Sequence, residues 1–333
     1  MTASGVNGNG KGPRSGTRAL TLLAGPLHGT VLQNLAGGPK QLVDLRREVG
    51  SPPQTTLRAH LKELDEIGGI VKRRRNRFPG VLEYELAPAG RELLFVATAL
   101  ERWLQRAPEG PLPFGSGGAK AAIKALAEGW SSTILRALAA RPLSLTELDG
   151  VIAGLSYPSL ERRLAAMRLA GQIEPCPSSG KGTPYTVTEW LREGMAPLAA
   201  ATRWERRHLP EDTAPTTRLD TEASFLLTLP LLRLPRELSG SCRMGVEMKN
   251  GRDHRLVGAM AHVDHGRITS CSVRLEGTPN AWATGSAGSW LRAVIGSDMD
   301  QLELGGDQRL ARALLDGLHS ALFGAGSRGR ASR

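Results

Sequence analysis

The sequence contains few aromatic residues, few cysteines and no long hydrophobic run. Phe, Trp and Tyr together make up 4% of its 333 residues. The three cysteines, Cys176, Cys242 and Cys271, include no Cys-x-x-Cys pair, which argues against a disulfide framework and a zinc ribbon. The longest apolar run, residues 225–235, is too short to cross a bilayer, since a spanning helix needs about 20 residues. We therefore expect a protein of the reducing cytoplasm without membrane insertion.

Motifs for catalysis and cofactor binding are also missing. The sequence has no HExxH, no GxSxG and no phosphate-binding loop. Four residues near a predicted hairpin tip, His254, His262, Asp264 and His265, are of types that bind metals, but polar residues at such a tip are normally solvated. We therefore predict no enzymatic activity, no cofactor and no metal.

What the sequence does contain is an excess of positive charge. The net charge is +11, of which +6 falls in residues 1–116, +2 in residues 117–217 and +3 in residues 218–333. The stretch from Lys72 to Arg77 alone places five positive charges in six positions. Surplus lysine and arginine attract polyanions, so a nucleic acid or an acidic membrane surface is the expected partner.

Segments rich in glycine, proline and serine divide the chain into three parts of about 100 residues, a common domain size. The predicted boundaries are a disordered leader at 1–16, a first domain at 17–106, a linker at 107–118, a second domain at 119–208, a linker at 209–217, a third domain at 218–324 and a disordered tail at 325–333.

The first two parts repeat one another. Residues 23–45 align with residues 126–148 without a gap, at an offset of 103 residues. The aliphatic positions continue to coincide through the next helix, and after a two-residue slip Trp103 pairs with Trp204. Self-similarity at a fixed offset indicates two copies of one fold. Both tryptophans are interpreted as anchors of a core or an interface.

Each copy is predicted as helix, short helix, turn, helix, hairpin and helix. In the third helix of the first copy, Leu57, Leu61, Leu64 and Ile67 recur at helical spacing and form a buried stripe.

Capping and turn-forming residues mark the start of this helix and the turn of the hairpin after it. Ser51 is predicted to be the N-cap, with Pro52 at the first helical position and Gln54 at the capping-box position. The hairpin that follows turns at Pro79 and Gly80. A helix-turn-helix followed by a two-stranded hairpin is the winged-helix plan.

The segment "GWSSTILRALAARPLSLTELDGVIAGLSYPSLERRLAAMRLAGQIE", residues 129–174, resembles the HxlR group of bacterial winged-helix transcriptional regulators. The first copy matches more loosely through "GPLHGTVLQNLAGGPKQLVDL" and "TTLRAHLKELDEIGGI", with Leu27 in place of the tryptophan. Members of this group are typically dimers of one such unit. The resemblance therefore implies an intramolecular pseudo-dimer, and a homodimer is also open.

In a winged helix the exposed face of the third helix enters the major groove of double-stranded DNA, and the hairpin holds phosphates. Arg58 and Arg162 are the predicted guanine contacts, because a guanidinium can bond O6 and N7 together. The candidate DNA-binding residues of the first copy are Gln54, Thr55, Arg58, His60, Lys62, Lys72, Arg73, Arg74, Arg75 and Arg77. Those of the second copy are Ser156, Tyr157, Ser159, Arg162, Arg163 and Lys181.

Two alternatives stay open for these charges. A run of basic residues taken alone is usually a solvated turn, and only its place after an amphipathic helix favours DNA. The second hairpin carries Lys181 as its one charge, which predicts a weaker or more minor-groove-like grip on DNA. Alternatively, this copy serves dimerisation or domain contacts.

The third part is predicted to have three alternating strands joined by Asn-Gly and His-Gly turns, a helix near residues 287–295, a short strand and a C-terminal helix capped by Asp307. Residues 283–323 resemble the sterol carrier protein type two fold, which implies an apolar tunnel. The candidate ligand-lining residues, each of which an ordinary core would also explain, are Val246, Met248, Val257, Met260, Val273, Trp290, Leu291 and Leu314.

Together these features predict an α+β protein: two tandem winged-helix domains, then an α/β sterol-carrier-like domain with a mainly antiparallel sheet. The predicted function is sequence-specific DNA-binding transcriptional regulation, responsive to a small hydrophobic ligand. One alternative is a lipid-binding or transfer protein whose winged helices contact other proteins. Another is a nucleic-acid-binding scaffold without a ligand.

Overall fold

The computed structural model describes residues 17–75, 81–127, 132–152, 155–177, 182–209, 218–250 and 253–324. The chain mixes helices and strands, so the predicted α+β class is confirmed. The elements of the first part are α1 (Thr17–Leu23), α2 (His28–Ala36), β1 (Lys40–Gln41), α3 (Leu42–Glu48), α4 (Gln54–Glu66), β2 (Ile70–Arg75), β3 (Val81–Leu86) and α5 (Pro88–Leu104). The strands form one sheet in the order β1-β3-β2.

The second part follows the same order of elements. They are α6 (Gly117–Ala127), α7 (Ser132–Ala140), α8 (Leu145–Val151), α9 (Tyr157–Leu169), β4 (Ile173–Pro175), β5 (Tyr185–Val187), α10 (Glu189–Glu193) and α11 (Met195–His208). Helices α3 and α8 have 7 residues each, α4 and α9 have 13 each, and both pairs begin 103 residues apart. An isolated bridge between Leu143 and Tyr185 stands where Lys40 pairs with Tyr84 in the first part.

The third part consists of α12 (Arg218–Thr228), a 3-10 turn (Leu229–Leu231), β6 (Gly240–Asn250), β7 (Asp253–Asp264), β8 (Arg267–Ser272), β9 (Ala281–Ser286), α13 (Ala287–Gly296), β10 (Glu303–Gly306) and α14 (Gln308–Phe323). The sheet order is β10-β9-β6-β7-β8, and of these neighbouring pairs β6–β9 is parallel and the rest are antiparallel. The prediction of a mainly antiparallel sheet is confirmed. So is the cap, because the Asp307 carboxylate accepts hydrogen bonds from the backbone N–H groups of Arg309 and Leu310.

The predicted N-cap of α4 is wrong. Ser51 has a φ of 55°, and its backbone N–H bonds to the Arg46 carbonyl at 2.8 Å, so it completes the end of α3. The helix begins at Gln54 after Pro53, and no side chain caps it. Two consecutive prolines carry the chain out of α3 in extended form, which moves the start of α4 beyond the serine.

The predicted stripe of α4 is buried as expected. Leu57, Leu61 and Leu64 are enclosed and Ile67 is half-buried. They belong to one hydrophobic core that runs through both the first and the second part of the chain, rather than to a separate core in each. Helices α5 and α11 pack against each other within it.

Four contacts between the first and second parts form two related pairs. The Trp103 indole N–H donates to the Trp190 carbonyl at 2.8 Å, and the Trp204 indole N–H donates to the Ala89 carbonyl at 2.8 Å. Adding 101 to the first donor, Trp103, gives the second donor, Trp204, and adding 101 to the second acceptor, Ala89, gives the first acceptor, Trp190. The ion pairs Arg106–Glu193 (3.0 Å) and Arg207–Glu92 (2.9 Å) are related in the same way. The Trp103 and Trp190 rings also stack, with centroids 4.4 Å apart. The two parts therefore contact one another by exchange of equivalent residues.

Helix α12 lies between the core of the first two parts and a second core in the third part. Ala223 and Leu227 face the former, whereas Phe225 and Leu229, just past the helix, face the latter. These two pairs lie on opposite sides of a helix with 3.6 residues per turn. The sequence showed this segment as an interrupted apolar run, because a helix buried on every side has no amphipathic period.

Charged residues anchor α12 to the second part. The Glu222 side chain is 2% exposed and accepts from the guanidinium groups of Arg136 on α7 and Arg218, the latter at 2.6 Å. Arg192 of α10 donates to the Leu226 carbonyl at 2.6 Å, and burial lowers the pKa of Arg192. Helix α12 is thus held by buried polar bonds as well as by apolar packing.

Candidate nucleic-acid interface

The side chains of α4 divide between the core and an exposed face. Opposite the buried stripe, Gln54, Thr55, Arg58 and Lys62 are exposed to solvent, as predicted from their spacing. Lys62 pairs weakly with Glu66 at 3.6 Å, and Arg58 has no ion pair with any described residue. The helix therefore presents one unengaged guanidinium among hydrogen-bonding side chains.

His60 does not lie on this exposed face, contrary to the prediction. Its side chain is 15% exposed, and its ring meets the His28 ring edge-on with centroids 4.4 Å apart. A residue two positions beyond Arg58 is rotated by about 200° around a helix, which turns His60 towards α2.

The basic hairpin has two faces. Because side chains alternate along a strand, Lys72 and Arg74 of β2 lie on one face and Arg73 lies on the other. Lys72 bonds to Asp65 of α4 at 2.7 Å, and this hydrogen bond raises the pKa of Lys72. Arg73 pairs with Glu85 at 3.0 Å. Among the described side chains of the run, Arg74 alone is free of an ion pair.

Two predicted phosphate contacts, Arg77 and Lys181, lie outside the described residues, as do the turn residues Pro79 and Gly80. Exposed ion pairs contribute little stability, so phosphate can displace the partners of Lys72 and Arg73 at small cost. The Lys72–Asp65 bond also joins the hairpin to the C-terminal half of α4.

Residues 22–109 match the HxlR-like helix-turn-helix family. This match supports an HxlR-type winged helix-turn-helix in the first part of the chain. No curated protein matches the chain significantly. The family match falls on the first copy, whose sequence resembles the group more loosely than that of the second copy. It covers α2 to α5 with the hairpin between them. Within the described residues, no helix combines the length and apolar character needed to span a membrane.

The second unit differs from the HxlR-like unit at the positions predicted to contact DNA. On α9, Tyr157, Arg162 and Arg163 are exposed, as is the preceding residue Ser156, whereas Ser159 is half-buried. At the offset of 103 residues, Glu161 occupies the position of Arg58, and an acidic side chain there repels phosphate.

Sequence reasoning missed a cluster beside α4. His28 Nε2 lies 2.9 Å from Glu63 Oε2 and 3.1 Å from His60 Nδ1, and the His60–Glu63 distance is 3.9 Å. Burial and the neighbouring His60 lower the pKa of His28, although Glu63 opposes them. His28 and His60 are 32 residues apart in no known motif, so only the fold reveals the cluster.

The residues predicted to line a ligand site do not share one surface. Val246, Trp290 and Leu314 pack in the core of the third part, and Trp290 donates its indole N–H to the Gly245 carbonyl at 2.7 Å. Val257 follows the same sheet face, because it pairs with Val246. Met260 is three residues further along β7 and therefore points to the opposite face, which contradicts its grouping with the others.

The remaining three, Met248, Val273 and Leu291, are half-buried. The two cysteines of this part are unreactive at neutral pH, because burial raises the pKa of the Cys242 thiol to about 12 and that of Cys271 to about 11.

Proposed function

We propose that this protein is a sequence-specific DNA-binding transcriptional regulator rather than an enzyme. The observation that supports this most strongly is the exposed face of α4 in the HxlR-type unit, where Arg58 has no ion partner among the described residues. Beside it, the hairpin adds basic side chains and is joined to α4 through Lys72 and Asp65. A recognition helix with a free guanidinium and an adjacent cationic strand offers both base contacts and phosphate contacts.

Arg58→Ala should weaken binding to the preferred site by about 1–3 kcal/mol and relax selectivity at one base position, because a bidentate guanine contact is lost. Lys62→Ala on the same face is the matched control. It should weaken binding to all sequences alike. Selection from a random double-stranded DNA library, with wild type and both variants, gives the base preferences. Unchanged preferences for Arg58→Ala would reject Arg58 as a base contact.

We further propose that the second part is a second winged helix and that the two units form a pseudo-dimer within one chain. The shared element order, the equal offsets and the exchange of Trp and ion-pair contacts support this. Residue i of one unit contacting residue j of the other, and the reverse, is the pattern of a two-fold interface.

This symmetry can be tested by stability. Trp103→Phe and Trp204→Phe each remove one indole N–H that donates across the interface, which should cost about 0.5–1.5 kcal/mol. Because the two bonds are equivalent, urea unfolding should show a loss at both positions, with the larger one at Trp103, whose ring also stacks on Trp190. Trp282→Phe, at a half-buried position on β9, is the control and should cost less. A loss at only one of the two positions would argue against the pseudo-dimer.

The two units are proposed to contribute unequally to DNA binding. Glu161 replaces Arg58 in the second unit, so the HxlR-type unit should dominate affinity. The third part is proposed to sense a small hydrophobic ligand and to transmit occupancy through α12, which contacts both cores. Operator affinity that stays the same with and without every bound ligand would remove this part of the proposal.

A further inference from the structure

Three electron-pair donors converge beside the recognition helix. They are Nε2 of His28, Nδ1 of His60 and a carboxylate oxygen of Glu63. His28 stands at the start of α2, and the other two residues stand one helical turn apart on α4. The Glu63 side chain is 52% exposed, so the cluster opens to solvent on that side.

The protons of the three side chains do not satisfy every close contact of His28 at once. If His28 Nε2 carries the proton, it can donate to His60 or Glu63, but Nδ1 of His28 is then a buried acceptor without a donor. If Nδ1 carries the proton, on the side of the Leu22 backbone, Nε2 can accept from His60 Nδ1–H, but its lone pair also lies 2.9 Å from the Glu63 carboxylate with no proton between them. Placing a proton on both nitrogens charges a buried ring. A cation at the point of convergence resolves the conflict.

The distances suit such a cation. Two ligand atoms bound tetrahedrally to zinc at about 2.0–2.1 Å lie about 3.3 Å apart. The three observed separations, 2.9, 3.1 and 3.9 Å, lie on both sides of that value. We propose that His28, His60 and Glu63 form a binding site for a divalent transition-metal ion, with its fourth coordination position open to solvent.

The donor set defines the class of metal. Two imidazole nitrogens and one carboxylate oxygen suit zinc, cobalt or nickel, whereas calcium and magnesium prefer oxygen ligands. The Nδ1 tautomer of His28 leaves Nε2 for the metal and directs the Nδ1 proton towards the Leu22 carbonyl. A metal-bound histidine commonly uses its second nitrogen in this way.

The fold itself does not require these residues. At the offset of 103 residues, the second unit has Ser131, Arg163 and Ala166 in place of His28, His60 and Glu63. Its helix α9 nevertheless matches α4 in length and burial. The cluster is therefore a feature of the first unit alone.

The site would connect metal occupancy to DNA affinity, a consequence that depends on the proposed function above. Both α4 ligands lie on the side of the helix turned towards α2, so a bound ion would fasten the recognition helix to α2. Arg58 lies outside the cluster and would remain available to DNA.

The test uses the full-length, metal-free chain and does not depend on DNA. Titration with Co²⁺ should give visible absorption bands of a tetrahedral site that saturate at one ion per chain and disappear when Zn²⁺ is added. His60→Gln and Glu63→Gln should each weaken binding by more than the roughly 10- to 100-fold that loss of an outer-shell partner costs. His265→Gln and Glu66→Gln, on exposed residues, should leave binding unchanged.

Circular dichroism of each variant shows whether it is folded. Because His28 is the most deeply buried of the three ligands, the decision rests on the variants of His60 and Glu63. Absence of Co²⁺ bands in the folded wild type would overturn the proposal, as would equal binding by His60→Gln and Glu63→Gln. A parallel titration of DNA with and without Zn²⁺ separates the two proposals. DNA binding without metal binding rejects the site, whereas metal binding without DNA binding supports the site and rejects the proposed function.

Discussion

Replacement of all five basic residues of the hairpin, Lys72 to Arg75 and Arg77, with glutamine should remove most of the salt dependence of DNA binding. Each phosphate contact contributes about 0.9 to the slope of log K against log salt concentration, so the slope should flatten by up to about 4.5. Affinity at low salt should fall by several orders of magnitude. The measurement is a fluorescence-anisotropy titration of DNA across a salt series.

The basic residues of the hairpin differ in how freely phosphate can reach them. Lys72 and Arg73 are engaged by Asp65 and Glu85, so phosphate must displace a carboxylate to reach them. Arg74 has no such competitor among the described residues. The single variant Arg74→Gln should therefore flatten the slope by more than Arg73→Gln. Conversely, Glu85→Gln releases Arg73 and should strengthen binding.

A control must remove the same charge from elsewhere on the chain. Five exposed arginines of the third part, Arg236, Arg267, Arg274, Arg292 and Arg312, serve this purpose when replaced together with glutamine. The net charge falls equally in both five-residue variants. If the control flattened the slope as much as the hairpin variant, the hairpin would be only part of a diffuse positive field.

The periodic features of the sequence predicted the structure well. A helix buried on one side repeats its apolar residues every three or four positions, and Leu57, Leu61 and Leu64 are buried as that spacing requires. The fixed offset between the two copies likewise holds to the residue at the starts of α3 and α8. Periodicity succeeds because it follows from backbone geometry, whatever the tertiary contacts.

Features that depend on tertiary contacts were not predicted. Ser51 has the right chemistry for a cap, but the double proline after it decides where α4 begins. His28 and His60 come together because α2 packs on α4, and no local sequence pattern predicts this contact. Met260 is a different case, because its odd separation from Val257 already placed it on the opposite face of the strand.

Mutating the arginines that pair with Glu222 of α12 should destabilise the protein far more than mutating Glu222 itself. Arg136→Met together with Arg218→Met leaves the Glu222 carboxylate, 2% exposed, without a cationic partner. Loss of one side of a buried ion pair typically costs about 3–5 kcal/mol. The free energy of unfolding of this double variant, measured in urea, should fall by that amount.

The reverse substitution should cost less. Glu222→Gln removes the carboxylate partner of Arg136 and Arg218. Their side chains are 29% and 42% exposed and can turn towards water. Adding Glu222→Gln to the arginine double variant should restore much of its stability, because no buried charge then remains. Arg309→Met, which breaks an exposed ion pair with Glu237, is the control and should cost less than about 1 kcal/mol.

The outcome decides what holds α12 between the two cores. A large loss in the arginine double variant with rescue by Glu222→Gln means that the buried carboxylate ties the helix to α7. Protonation of Glu222, or a ligand bound beside it, would then loosen the attachment of the third part to the first two parts. A loss no larger than that of Arg309→Met would instead assign the attachment to apolar packing, through Ala223 and Leu227 on one side and Phe225 and Leu229 on the other.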